Sequence, residues 1–159
     1  MDTSRPKTPA VIFDMDGTLS DYSHRAHYIA ATTPGQRDWP AFFAAMEEDG
    51  LIEDTFRLLK KCRAEALKII ILTGRPDTYI APTLRWLERH GVLYDVVMMR
   101  PGNDWRPGAE VKAELFQMHI APVYQVKFAV EDNPKIAAMW QELGVKCIQV
   151  SDGSLPETY

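Results

Sequence analysis

Cysteine is scarce in this chain, with Cys62 and Cys147 the only two among 159 residues. Their separation fits no metal-ligand spacing, and nothing suggests a disulfide framework or an oxidising compartment. Long apolar runs are missing too. Stretches such as Lys68–Leu72 and Asp95–Met99 are strand-sized, far short of the roughly 20 residues a membrane span needs. The opening residues, MDTSRPKTPA, carry no apolar core for a secretory signal, so a cytoplasmic location is expected. There is no internal repeat and no low-complexity stretch or linker. Excess positive charge is also absent: 18 basic against 22 acidic side chains leave a net charge of −4. That balance argues against a general nucleic-acid coat but leaves room for a local basic site. What remains is an average globular composition, 46% hydrophobic and 25% charged. The chain is long enough to bury a full core as one domain, residues 1–159.

Short apolar runs alternate with helix-period segments, the pattern of a parallel sheet flanked by helices. Strands are expected at Ala10–Phe13, Lys68–Leu72, Asp95–Met99, Val126–Val130 and Lys146–Val150. Their unbroken apolar character suits strands covered on both faces. One helix has Asp77 as its cap, Ile80, Leu84 and Leu87 as its stripe, and Gly91 as its end. A second carries Val111, Leu115 and Met118. A third runs from Pro134 to Gly144 with Ile136, Met139, Trp140 and Leu143 inward. The fold class is therefore α/β, a doubly wound, Rossmann-like parallel sheet of about five strands. The rhythm breaks once. More than 50 residues separate the first two strands, where one crossover helix needs far fewer. Glu53–Glu65, with Phe56, Leu59 and Cys62 inward, supplies that helix. The remainder, about residues 21–50, is a small cap insertion expected over the carboxyl edge of the sheet. A short helix is expected within it over Ala41–Glu48, with Asp38 as its cap.

The chemistry gathers at strand ends. Ala10–Phe13 runs into Asp14-Met15-Asp16-Gly17-Thr18, two carboxylates two residues apart that can project into one site and share a cation. Lys68–Leu72 runs into Thr73-Gly74-Arg75, a hydroxyl, a flexible glycine and a guanidinium suited to an oxyanion. The fourth strand ends in Glu131-Asp132-Asn133. Acid, hydroxyl plus base, and acid on one sheet edge describe a divalent cation and a phosphate.

These residues resemble the four motifs of the haloacid dehalogenase (HAD) superfamily, most of whose members are magnesium-dependent phosphatases. Asp14-Met15-Asp16-Gly17-Thr18 matches the first motif, Thr73 the second, Lys112 the third and Glu131-Asp132 the fourth. A finer resemblance is to the 3′-phosphatase domain of the bacteriophage polynucleotide kinase family. That family carries an arginine eleven residues after its first aspartate, here Arg25, and a second motif ending in arginine, here Arg75. Two departures stand out. Gly108 occupies the place of an acidic residue four positions before the lysine, which Asp104 or Glu110 would have to replace. The first acid of the fourth motif is Glu131 rather than aspartate. No Gly-x-x-x-x-Gly-Lys-Ser/Thr loop occurs, so no kinase domain is expected.

The resemblance implies a phosphomonoester hydrolase working through an aspartyl phosphate. Asp14 would be the nucleophile and Asp16 the general acid and base. Thr73 and Lys112 would hold phosphoryl oxygens, while Arg25, Gly74 and Arg75 bind substrate. Magnesium would sit among Asp14, the carbonyl of Asp16 and Asp132, with Glu131 orienting its neighbours. Arg100 and Arg106 follow the third strand and either extend a basic lip or take no part in binding substrate. His24 and His27 read as a wet loop rather than a zinc site; Trp39, Phe42 and Phe43 could stack on a base, but such a cluster reads first as local core. The expected substrates are 3′-phosphorylated DNA or RNA ends. Free nucleotides are the alternative, and a catalytically silent binding module is the outsider.

Overall fold

The computed structural model describes residues 5–159. The segment read above for a secretory signal begins in residues 1–4, which lie outside them. Seven strands form: β1 (Thr8–Phe13), β2 (Ser20–Asp21), β3 (Gly50–Leu51), β4 (Lys68–Pro76), β5 (Val96–Arg100), β6 (Tyr124–Glu131) and β7 (Cys147–Gln149). Five of them make one parallel sheet in the order β5-β4-β1-β6-β7. The α/β expectation holds. From β1 the chain winds outward through β4 to β5, then crosses back to β6 on the other side. The carboxyl ends of β1 and β6 thus flank the point where winding reverses, which is where such sheets open a crevice. Asp14 follows one of these strands, and Glu131 ends the other.

Each face of the sheet is buried by helices. Val11, Phe13, Ile69 and Ile71 pack against Leu58, Leu59 and Cys62 of α2 (Glu53–Ala64) and Trp86 and Leu87 of α3 (Ile80–Arg89). Ala10, Ile12, Ile70 and Leu72 face Phe116 and Ile120 behind α4 (Gly108–Leu115), and Ile136, Met139 and Trp140 of α5 (Pro134–Glu142). Strand alternation sends successive side chains of β1 to opposite cores.

Two helical stripes differ from expectation. In α3 the buried line is Thr83, Trp86 and Leu87, while Ile80 and Leu84 reach solvent. Asp77 does not cap it, because a 3-10 turn over Asp77–Tyr79 precedes the helix. The indole of Trp86 takes the buried place by donating Nε1 to the carbonyl of Asp49 (2.9 Å). After α4 the chain widens into a π turn over Phe116–Ile120, closed by Ala121 N–H donating to the Phe116 carbonyl (2.8 Å). The wider turn rotates Met118 outward, 61% exposed, and brings Phe116 and Ile120 in.

The insertion after β1 is closed at its neck by β2 and β3, an antiparallel pair with Asp21 opposite Gly50. It holds 3-10 turns over Ser23–Tyr28 and Pro34–Gln36, helix α1 (Trp39–Ala44) and a third 3-10 turn over Met46–Glu48. Asp38 caps α1 by accepting from Ala41 N–H (3.1 Å). Glu47 pairs with Arg85 (2.6 Å), and its carbonyl accepts from Arg89 (3.0 Å), so the cap is fastened to α3.

Candidate active site

Asp14 leaves β1 still tied to the sheet, its N–H donating to the Val130 carbonyl (3.1 Å). A tight turn follows, in which Gly17 has φ +80° and its N–H donates to the Ser20 carbonyl (2.8 Å). A Cβ on Gly17 would stand 2.1 Å from Asp132 Oδ2. Two constraints, a left-handed backbone and a carboxylate in contact, therefore fix glycine there. Gly17→Ala is expected to displace Asp132 and lower kcat by about 100-fold, the usual cost of a shift near 1 Å in a catalytic group. Affinity for a divalent cation, read by titration, should weaken in parallel.

Lys112 is buried at the end of a long reach from α4. Its Nζ donates to Asp14 Oδ1 (2.8 Å) and Glu131 Oε2 (2.7 Å). The second oxygen of Glu131 accepts from the N–H groups of Asp132 and Asn133 (3.1 Å each). Asp14, Glu131 and Asp132 each offer an oxygen within 4.8 Å of the others. Three carboxylates against one ammonium leave an excess of negative charge. Burial, and then Glu131, push Asp14 up to about 7 despite Lys112. Burial and the nearby Asp14 push Asp132 up to about 7. Burial alone would lower Lys112, but Asp14 and Glu131 hold it above its ordinary range. An oxygen-rich cluster short of positive charge fits a hard divalent cation.

Asp16 faces the opposite way, toward two buried guanidiniums. Its Oδ1 accepts from Arg25 Nη2 (2.5 Å), Arg75 Nη2 (2.7 Å) and Ser20 Oγ (3.3 Å). Its Oδ2 receives only a longer bond from Arg75 Nε (3.2 Å). Burial alone would raise its pKa, but Arg75 and then Arg25 hold the carboxyl at about 2. Behind it, Arg25 Nε and Nη2 grip both oxygens of Asp49 (2.7 and 2.6 Å), and its guanidinium lies 4.1 Å over the Phe42 ring. Arg75 Nη1 donates to Thr83 Oγ1 (3.2 Å). Both arginines are 0% exposed and neither lines the open cavity. The substrate contact expected of them does not fit this placement, because their donors are spent on Asp16, Asp49 and Thr83. Gly74 does line the cavity; a register shift between Thr73 and Pro76 in the β4–β5 ladder re-aims the backbone there. Thr73 is buried, its Oγ1 accepting from Arg75 N–H (3.1 Å).

Asp49 was not foreseen. Nothing local distinguishes it from Glu47 and Glu48 beside it; the available signal was charge counting, since two buried arginines need two carboxylates. Nor do Asp104 or Glu110 replace the acid absent at Gly108. Asp104 pairs with Arg106 (2.7 Å), and Glu110 is exposed outside the cavity. A Cβ on Gly108 would meet Arg100 Nη2 at 3.6 Å.

Above these groups opens a cavity of about 780 Å³. Asp14, Asp16, Lys112, Glu131 and Asp132 line it, and the cap contributes Arg37 and Trp39. Arg100 and Arg106, from beyond β5, line it as well.

The polynucleotide kinase PNKP phosphatase domain family model matches residues 8–155. The chain belongs to that family. A solved relative of this HAD-type phosphatase domain, in a Pnkp1/Rnl/Hen1 complex, is 36% identical with a TM-score of 0.77. The match covers 96% of this chain and 48% of that one, so the PNKP phosphatase domain here spans about half that relative. A bifunctional polynucleotide kinase/RNA ligase, so described, of Autographa californica nuclear polyhedrosis virus is 27% identical over 143 residues. That is 87% of this chain and 19% of the viral protein. The class C acid phosphatase from Bacillus anthracis shares the fold at 18% identity and a TM-score of 0.64, over 94% of this chain and 68% of that one. No described helix of the chain is long and apolar enough to cross a membrane.

Proposed function

We propose that this domain is a magnesium-dependent phosphatase that removes the phosphate from 3′-phosphorylated polynucleotide ends. The observation that carries the reading is Asp14 at the floor of an open cavity, paired with buried Lys112 and adjoining Asp132. Arg37 and Arg100, which have no carboxylate partner among the described residues, line the same cavity and leave positive charge for a polyanion. Its similarity to a polynucleotide kinase/RNA ligase and to a protein of a Pnkp1/Rnl/Hen1 RNA repair complex supports polynucleotide ends and favours RNA.

A carboxylate oxygen of Asp14 attacks phosphorus, forming an Asp14–phosphorus bond as the bond to the leaving oxygen breaks. Lys112 holds a phosphoryl oxygen and offsets the charge that grows there. Asp16 gives the leaving oxygen a proton through Oδ2, its less engaged oxygen. It is ionised in the free protein; the substrate's negative charge raises its proton affinity, so it takes up one proton from solvent as substrate binds, and that is the proton it passes to the leaving oxygen. Asp16 then takes a proton from water as that water attacks phosphorus, breaking the Asp14 bond and freeing phosphate. Gly74 borders the cavity and Thr73, buried beside it, fixes the turn by accepting from Arg75 N–H, while Arg25 and Arg75 hold Asp16 in place. Asp14, Asp132 and the carbonyl of Asp16 would hold magnesium, which would supply positive charge for the phosphoryl oxygens. Glu131, bonded on both oxygens, orients Lys112 and Asp132.

Asp132→Ala is expected to weaken magnesium binding by about 100-fold or more, above the usual effect of a group one bond further out. Calorimetric titration checks it, and unchanged affinity would move the ligand to Glu131. Phosphate release from 3′-phosphorylated RNA and DNA oligonucleotides, beside free mononucleotides, tests the function. A preference for oligonucleotides is expected; a preference for mononucleotides would establish the free-nucleotide reading instead.

A further inference from the structure

The chemistry at Asp14 leaves two tryptophans on the cavity wall unused. Trp86 and Trp140 are core residues, but Trp39 is 38% and Trp105 80% exposed, and both line the cavity that holds Asp14 and Lys112. An exposed indole on a loose loop would mean little. This loop is pinned on both sides of the ring. Arg100 Nη1 donates to the carbonyls of Asp104 (3.0 Å) and Arg106 (2.6 Å), the two neighbours of Trp105. Arg106 in turn pairs with Asp104 (2.7 Å) and Glu114 (2.6 Å). Trp39 is steadied by Phe43, stacked at 5.8 Å, and by the edge of Phe42 at 5.7 Å. Rings presented on fixed backbone lose little freedom when a flat ligand settles on them.

Charge identifies that ligand. Arg37 and Arg100 border the same cavity without carboxylate partners among the described residues. Exposed aromatic faces beside unneutralised guanidiniums complement a nucleotide, whose base stacks while its phosphates meet the charge.

We propose that Trp105 and Trp39 form a stacking lip for the unpaired base of the nucleotide whose 3′-phosphate lies at Asp14. Stacking needs the face of the base, which a duplex covers, so the lip selects single-stranded or frayed ends. The inference rests on the polynucleotide reading above and adds to it the part of the substrate that is recognised.

The test compares a short single-stranded 3′-phosphorylated oligonucleotide with one that is abasic at its terminal position. In the wild type the ratio of kcat/KM, base-bearing over abasic, should be about 5- to 150-fold, the range of one stacked base. Trp105→Ala should bring that ratio toward one, and Trp105→Phe, which keeps a flat ring, should restore most of it. Binding is read separately from turnover by titrating Asp14→Asn with the base-bearing oligonucleotide and following indole emission. Quenching is expected, and it should shrink when Trp105→Phe is added. A wild-type ratio near one, with both oligonucleotides hydrolysed, overturns the lip and leaves the substrate reading standing. A ratio unchanged in Trp105→Ala and in Trp39→Ala also overturns it. Failure to hydrolyse either oligonucleotide, while a small phosphomonoester is cleaved, overturns the substrate reading and the lip together.

Discussion

Asp14→Asn should abolish phosphate release, with a loss of about 10,000-fold or more in kcat, because removing a covalent nucleophile removes the pathway itself. The fold should not suffer. Asp14 is buried, and that burial, then Glu131, pushes its carboxyl up to about 7 despite Lys112. A carboxyl whose folded pKa lies above its unfolded value loses stability as pH rises from the unfolded value through the folded one. At pH 8 without metal the ionised Asp14 is therefore a burden, and the neutral amide relieves it. Thermal unfolding of Asp14→Asn at that pH should give a Tm equal to or above wild type. Freshly purified protein, free of deamidation, is needed for the activity arm. Turnover within tenfold of wild type would sink the covalent mechanism, and a Tm well below wild type would sink the electrostatic account of the site.

How much of this was legible in the sequence depended on how far apart the interacting groups lie along the chain. The apolar runs of β1, β4 and β6 and their polar ends are local patterns, so the sheet and the positions of Asp14, Thr73 and Glu131 could be read directly. Lys112 was not readable from its surroundings. A lone lysine on a short helix is usually solvated, and its burial follows from Asp14, 98 residues away. Only the resemblance singled it out. The stripe of α3 misled for a related reason. Ile80 and Leu84 have the right spacing, but Thr83 is drawn inward by Arg75 and Trp86 by the Asp49 carbonyl, both distant partners. In the segment after α4, a π turn changes the period itself, and no local signal in Phe116–Ile120 announces it.

Arg25 presents the sharpest contrast between residue type and residue role, and its replacement has the second large expected effect. A guanidinium near a phosphate site invites a substrate contact, whose loss would act mainly on nucleotide substrates and leave stability alone. The geometry sets a different expectation. Arg25 binds both oxygens of Asp49, a carboxylate with 0% side-chain exposure, and one oxygen of Asp16. Arg25→Ala leaves Asp49 to Arg75, 3.6 Å away, and to half-exposed His24. Stranding a buried charge costs about 3–5 kcal/mol, which for a domain of this size lowers Tm by about 6–20 °C. Activity should fall by the same factor on oligonucleotides, mononucleotides and aryl phosphates, because the injury is to the position of Asp16, which every substrate uses. Adding Asp49→Asn removes the stranded charge, so the double variant should be more stable than Arg25→Ala alone, a non-additivity expected of touching partners. Differential scanning calorimetry and parallel kcat/KM measurements decide the matter. A loss confined to oligonucleotides, with Tm unchanged, would return Arg25 to the substrate and dissolve the clamp on Asp16.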